Sequence, residues 1–119
     1  MRMKLSYLCS IGVLSIFFMG CTIKDNHQLN TGAYYFEHGY YKHALHNLLP
    51  AAVDGNPKAQ YAVGYMYYYG YGVPQDTDAG YFWIERAARG GDVKAMQALG
   101  MITSQKYERK RVTYSRYLR

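Results

Sequence analysis

Ala51 to Tyr65 reads AAVDGNPKAQYAVGY, and Ala87 to Met101 reads AARGGDVKAMQALGM. The two stretches lie 36 residues apart. Ala51, Ala52, Gly55, Lys58, Ala59, Ala62 and Gly64 recur as Ala87, Ala88, Gly91, Lys94, Ala95, Ala98 and Gly100. Val63 and Leu99 form a conservative pair. Seven identities in 15 positions at one fixed offset mark an internal repeat. A period in the mid-thirties with small residues at fixed places belongs to stacked helix pairs. The predicted fold is therefore all-α, a short α-solenoid of antiparallel helix pairs. Gly inside a helix costs up to about 1 kcal/mol relative to Ala. Gly64 and Gly100 thus each predict a neighbouring helix crossing closely.

Working outward, the pattern predicts helices near 29–38, 42–53, 57–69, 77–89 and 93–105, with a possible sixth beyond. Asn56 and Asp92 are expected N-caps, with Pro57 at the first helical position. Gly70-Tyr71-Gly72-Val73-Pro74 reads as a loop, since Gly supplies positive φ and Pro fixes a turn. It lacks the Lys-Ser/Thr ending of a phosphate-binding loop.

Residues 59–91 read AQYAVGYMYYYGYGVPQDTDAGYFWIERAARGG. This segment resembles the Sel-like repeat, the Sel-one type, a cousin of the tetratricopeptide repeat. Ala59, Val63-Gly64, Tyr67, Gly70-x-Gly72-Val73, Asp76, Ala79, Trp83, Ala87-Ala88 and Gly90 fill that repeat's pattern. The resemblance implies that Ala59, Gly64, Tyr67, Gly70, Gly72, Trp83, Ala87, Ala88 and Gly100 are structural. Residues 32–55 look like a preceding unit with a shorter turn, and 93–104 like the first helix of a following one.

Five tyrosines crowd Tyr65 to Tyr71. At 100° per residue, Ala59, Ala62, Val63, Met66 and Tyr67 share an arc of about 140°, the expected buried face. Tyr61, Tyr65 and Tyr68 fall on the opposite side within about 60°. The first helix of each stacked pair lines the concave surface of a solenoid. Tyr61, Tyr65 and Tyr68 are therefore the candidate partner-binding residues, because Tyr is enriched at interface centres. The competing reading is that neighbouring helices already cover them.

The ends carry separate signals. Arg2 and Lys4 precede an uncharged run of 15 residues, Leu5 to Met19. That is short for a membrane span and has the pattern of a signal peptide. Phe18-Met19-Gly20-Cys21 resembles a bacterial lipobox, departing from it at Phe18, where Leu is usual. The resemblance implies lipidation at Cys21 and, with Thr22 rather than Asp next, an outer-membrane location facing the periplasm of a Gram-negative bacterium. The organisation expected is a signal peptide at 1–20, a tether at 21–28, a repeat domain at 29–105 and a basic tail at 106–119. Most of the formal charge of +6 sits in that tail, which carries a net +5: Lys106, Arg109, Lys110, Arg111, Arg116 and Arg119 face a single Glu108. The pI is therefore a poor argument for nucleic-acid binding. The tail could instead touch peptidoglycan, another anionic polymer or lipid head groups.

No catalytic constellation is legible. His43 and His46 are spaced to share a metal on a helix, with Glu37 or His38 near, but no HExxH pattern occurs. Asp76 and Asp78 read as capping carboxylates. With one cysteine left after removal of Cys9, no structural zinc site or disulfide framework can form. The expectation is a protein without cofactor or metal that is not an enzyme. It is an envelope-anchored module that binds another envelope protein, with a secretion or pilus apparatus as a plausible setting. The alternatives are polymer binding through the tail and a metal-dependent hydrolase. Oligomeric state is left open.

Overall fold

The computed structural model describes residues 27–118, and these are all-helical. Helix α1 covers 27–37, α2 Tyr41–Val53, α3 Pro57–Tyr69, α4 Thr77–Arg89 and α5 Val93–Tyr117. The 36-residue period is visible in the elements: α2 and α4 begin 36 residues apart, and so do α3 and α5. Consecutive helices pack against one another, α3 on both α2 and α4, and α5 on α4. The turn from α1 to α2 is shorter than that from α3 to α4. The leader and Cys21 lie outside the described residues.

Local chemistry starts the helices. The Asn56 side chain accepts from the Ala59 amide at 3.1 Å and Pro57 occupies the first turn of α3. The Asp92 carboxylate accepts from the Ala95 amide at 2.8 Å and starts α5. The Asp76 carboxylate accepts from the Asp78 amide at 3.1 Å and the Ala79 amide at 2.9 Å, starting α4. At the end of α3 three of the freed carbonyls are used. The Tyr71 amide donates to Met66, the Asp76 amide to Tyr67, and the Gln75 side chain to Tyr68. Gly70 and Gly72 have φ of +74° and +73°, conformations that L side chains disfavour.

One buried cluster joins Ala44, Leu48 and Ala52 of α2 to Ala59, Ala62, Val63 and Met66 of α3. Tyr67 and Trp83 pack on it half-buried. A second cluster joins Ile84 and Ala87 of α4 to Ala95 of α5, with Ala88, Leu99 and Ile102 against it. The predicted inward arc of α3 is thus the observed one. The sequence pattern did not pick out Gln60, which is buried and donates from Nε2 to the Ala52 carbonyl at 3.0 Å. That bond adds to the one the Ala52 carbonyl, in the last turn of α2, accepts from the Gly55 amide at 3.1 Å.

Glycine marks two of the crossings. A Cβ on Gly32 would sit 2.6 Å from Leu48 Cγ, and one on Gly64 would sit 2.8 Å from Ile84 Cγ1 and 2.9 Å from the Gly80 carbonyl oxygen. In both pairs an aliphatic side chain of the second helix seats on a glycine of the first. Gly100 departs from expectation, because a Cβ there would meet nothing within 4 Å among the described residues. The helix boundary departs too. The sequence pattern predicts that α5 stops near 105, with a possible sixth helix beyond; it runs unbroken to Tyr117. One period on from Gly70 and Gly72 stand Lys106 and Glu108, which give the backbone no reason to turn left-handed.

Candidate functional site

The first helices of the pairs, α1, α3 and the start of α5, lie along one side and enclose a groove of about 880 Å³. Leu29, Ala33 and Phe36 of α1 line it, with Tyr61 and Ala62 of α3, and Asp92, Val93 and Lys94 at the start of α5. Glu37, Lys58, Asp92 and Lys94 supply charges of both signs around it. The wall is apolar and aromatic with few polar groups, the usual make-up of a recognition cleft.

Tyrosines continue from this groove along α3 and into the loop. The Tyr65 ring lies 6.2 Å from Tyr61, 4.6 Å from Tyr69 and 5.7 Å from Tyr71, and meets Phe36 of α1 edge-on at 5.6 Å. Tyr71 stacks on Tyr41 at 4.8 Å, tying the loop to α2. Gly72 permits this approach: a Cβ there would lie 2.7 Å from Tyr41 Cβ. Tyr61 and Tyr65 therefore share one aromatic surface, as expected from their helical spacing. Each is half-buried rather than free. Burial pushes both phenols up, with the Asp92 carboxylate adding to the effect at Tyr61 and the neighbouring tyrosines at Tyr65.

Tyr68 meets Tyr69 edge-on at 5.1 Å and, like Tyr61, also packs against the Ile84 cluster, while Gly80 of α4 lies directly against its backbone. A helical wheel cannot register this, because the crossing point of α4 decides which side of α3 is covered. The most exposed rings of the patch are instead Tyr69 at 51% and Tyr71 at 39%. The sequence signal for Tyr71 is its place between two glycines, which lift the loop off the helix end.

The histidines are engaged separately. His38 Nδ1–H donates to the Tyr34 carbonyl at 2.8 Å and its ring stacks on Tyr34, whereas the His43 ring lies beside Tyr35. Among the described residues no group of three or more His, Cys, Asp or Glu gathers to hold a metal ion. No described helix is long and apolar enough to cross a membrane.

Stacked antiparallel helix pairs with glycine-seated crossings define a helical-repeat interaction fold. Residues 57–92 match the Sel1 repeat, so one complete repeat spans α3, the glycine loop and α4 and ends at the cap of α5. Repeats of this kind generally mediate protein–protein interaction and are typically non-catalytic. No curated protein matches the chain in sequence.

Proposed function

We propose that this protein is an envelope-anchored adaptor that holds a segment of another protein in the groove between α1, α3 and the start of α5. The carrying observation is the continuity of that groove with the ring surface of Tyr61, Tyr65, Tyr69 and Tyr71. Stiff rings give a large contact area at little entropic cost, and mixed charges at the edge set register rather than affinity. In this reading Cys21 is lipidated and holds the chain at the outer membrane on the periplasmic side. The partner is an envelope protein, such as a subunit of a secretion or pilus apparatus. The chain recruits and catalyses nothing.

The test is a mild-detergent pull-down from envelope membranes. It compares the full chain with Tyr69→Ser/Tyr71→Ser, whose exposed rings can be removed without opening the core. A discrete partner retained by the parent and lost by the folded variant supports the groove. A partner kept equally by both, or found with neither, sinks it. Labelled palmitate incorporated by the parent but not by Cys21→Ser tests the anchor. The exposed cations of α5 favour a second reading, binding to peptidoglycan or another anionic polymer. That reading requires binding to isolated cell wall to disappear on truncation after Ser104 while the pull-down partner is kept.

A further inference from the structure

The side of α5 that meets α4 changes character where α4 stops covering it. Ala95, Ala98, Leu99 and Ile102 belong to the Ile84 cluster and share an arc of about 100° at 100° per residue. Continued along α5, the same side carries Lys106, Arg109, Lys110 and Arg116, within about 120° of one another. Lys106 Nζ lies 5.9 Å from the centre of the Tyr81 ring of α4, which fixes the placement. Arg111 points to another side and bridges Glu108 at 3.6 Å. The one other ion pair among the described residues is Arg89–Glu85 within α4. Among those residues, then, no carboxylate pairs with the four cations of this face. Lys106 stands three residues from Arg109 and four from Lys110, spacings at which like charges weaken a helix.

The face lies in a step. α4 begins at Thr77 and runs antiparallel to α5, so it covers α5 only up to about Lys106, where Tyr81 is met. About three further turns of α5 follow, and every residue from Thr103 to Leu118 is exposed. The α3–α4 loop leans the other way, toward α2, where Tyr71 stacks on Tyr41 at 4.8 Å. The start of α4 therefore stands above the basic face by about one helix diameter, roughly 10 Å. Asp76 and Asp78 sit on that wall. The Asp76 carboxylate accepts from the Asp78 and Ala79 amides, and neither acid pairs with a cation of α5 among the described residues.

We infer that this step holds one strand of a linear anionic polysaccharide, its acidic groups set along Lys106, Arg109, Lys110 and Arg116. The inference rests on the second reading above and gives it a face, a residue set and a ligand class. Charge and shape together select the occupant. The four cations span about 15 Å of helix axis, so successive acidic groups of a strand meet them in turn. The planar forks of Arg109 and Arg116 suit paired anionic oxygens. A bilayer is flat, and the start of α4 holds it off the face. The only uncharged side chains within the basic arc past Lys106 are Thr113 and Tyr117, which offer lipid no apolar stripe. A site for single-stranded nucleic acid presents several rings to its bases, and this arc presents Tyr117 alone.

The probe is fluorescently labelled heparin, its anisotropy followed against the full chain in mild detergent, with labelled neutral dextran as the uncharged control. Saturable heparin binding that weakens with salt is expected, and none to dextran. Arg109→Gln and Arg116→Gln should each weaken it about threefold or more, and together about tenfold or more, each lowering the salt slope by about one. Arg111→Gln removes a cation from another side and should weaken it less than about twofold. These side chains are exposed, so the circular dichroism of each variant stays at the parent's and a loss cannot be misread as unfolding. If Arg111→Gln weakens binding as much as Arg109→Gln, the tail attracts polyanions by net charge alone; the proposed face falls and the second reading stands. Binding to heparin and to isolated cell wall that survives truncation after Ser104 overturns both. No heparin binding up to about 1 mM chain overturns the proposal. So does binding to phosphatidylglycerol vesicles or duplex DNA at least as tight at equal charge concentration, which would make the occupant a lipid surface or a nucleic acid.

Discussion

Replacing Gly64 and Gly100 separately by Ala should have opposite effects, although the two positions are one repeat apart and share flanking residues. At Gly64 the added methyl would lie 2.8 Å from Ile84 Cγ1 and 2.9 Å from both the Gly80 carbonyl oxygen and the Ile84 amide nitrogen. Two of those three atoms are backbone, so a rotamer change cannot relieve the contact and α3 and α4 must part. Overpacking of this kind costs about 1–3 kcal/mol, and the backbone contacts place it at the upper end. The helix-propensity gain of Ala over Gly returns about 1 kcal/mol. The net loss is about 2 kcal/mol. At Gly100 an added methyl would meet nothing within 4 Å among the described residues, so only the propensity term acts and the chain gains about 1 kcal/mol. For a domain of this size, 1 kcal/mol moves the melting temperature by about 4–8 °C. Thermal melts followed by circular dichroism should therefore show Gly64→Ala falling by roughly 8–16 °C and Gly100→Ala rising by roughly 4–8 °C. A Gly64→Ala protein as stable as the parent would refute the close α3–α4 crossing. A destabilised Gly100→Ala protein would mean that something in the chain already covers α5.

Asp76→Ala removes the acceptor of two amides at the start of α4 and should cost about 1 kcal/mol in urea unfolding, with Asp76→Asn recovering most of it. Equal stability of Asp76→Ala and the parent would show that water replaces the cap at no cost. Alkaline titration followed by phenolate absorbance should show two tyrosines ionising above the ordinary value of 10.0, and Tyr61→Phe and Tyr65→Phe should each remove one. Because the folded protein holds those protons more tightly than the unfolded chain, their contribution is complete below pH 10.0 and is lost as pH rises through the raised values. If the two Phe variants lose stability above pH 10.0 just as steeply as the parent, the raised phenols are not the cause.

The seven identities between residues 51–65 and 87–101 were enough to determine the helix pairs, their period and the inward arc of α3. So were the caps at Asn56 and Asp92 and the left-handed turns at Gly70 and Gly72. All of these are short-range: a cap, a turn or a helical stripe is set by residues within a few positions of one another. Tertiary structure alone decided what each helix face meets. Tyr61, Tyr65 and Tyr68 share a wheel sector, yet Tyr61 and Tyr68 also pack on the α4–α5 cluster, and Gly80 brings α4 against the Tyr68 backbone. Gly64 and Gly100 are the same residue in the same repeat position; one is enclosed, and among the described residues nothing lies against the other. A glycine in sequence says only that a helix can come close. Whether one does depends on the chain turning back, as it does at the glycines of the α3–α4 loop, whereas α5 runs on unbroken past Gln105 to Tyr117.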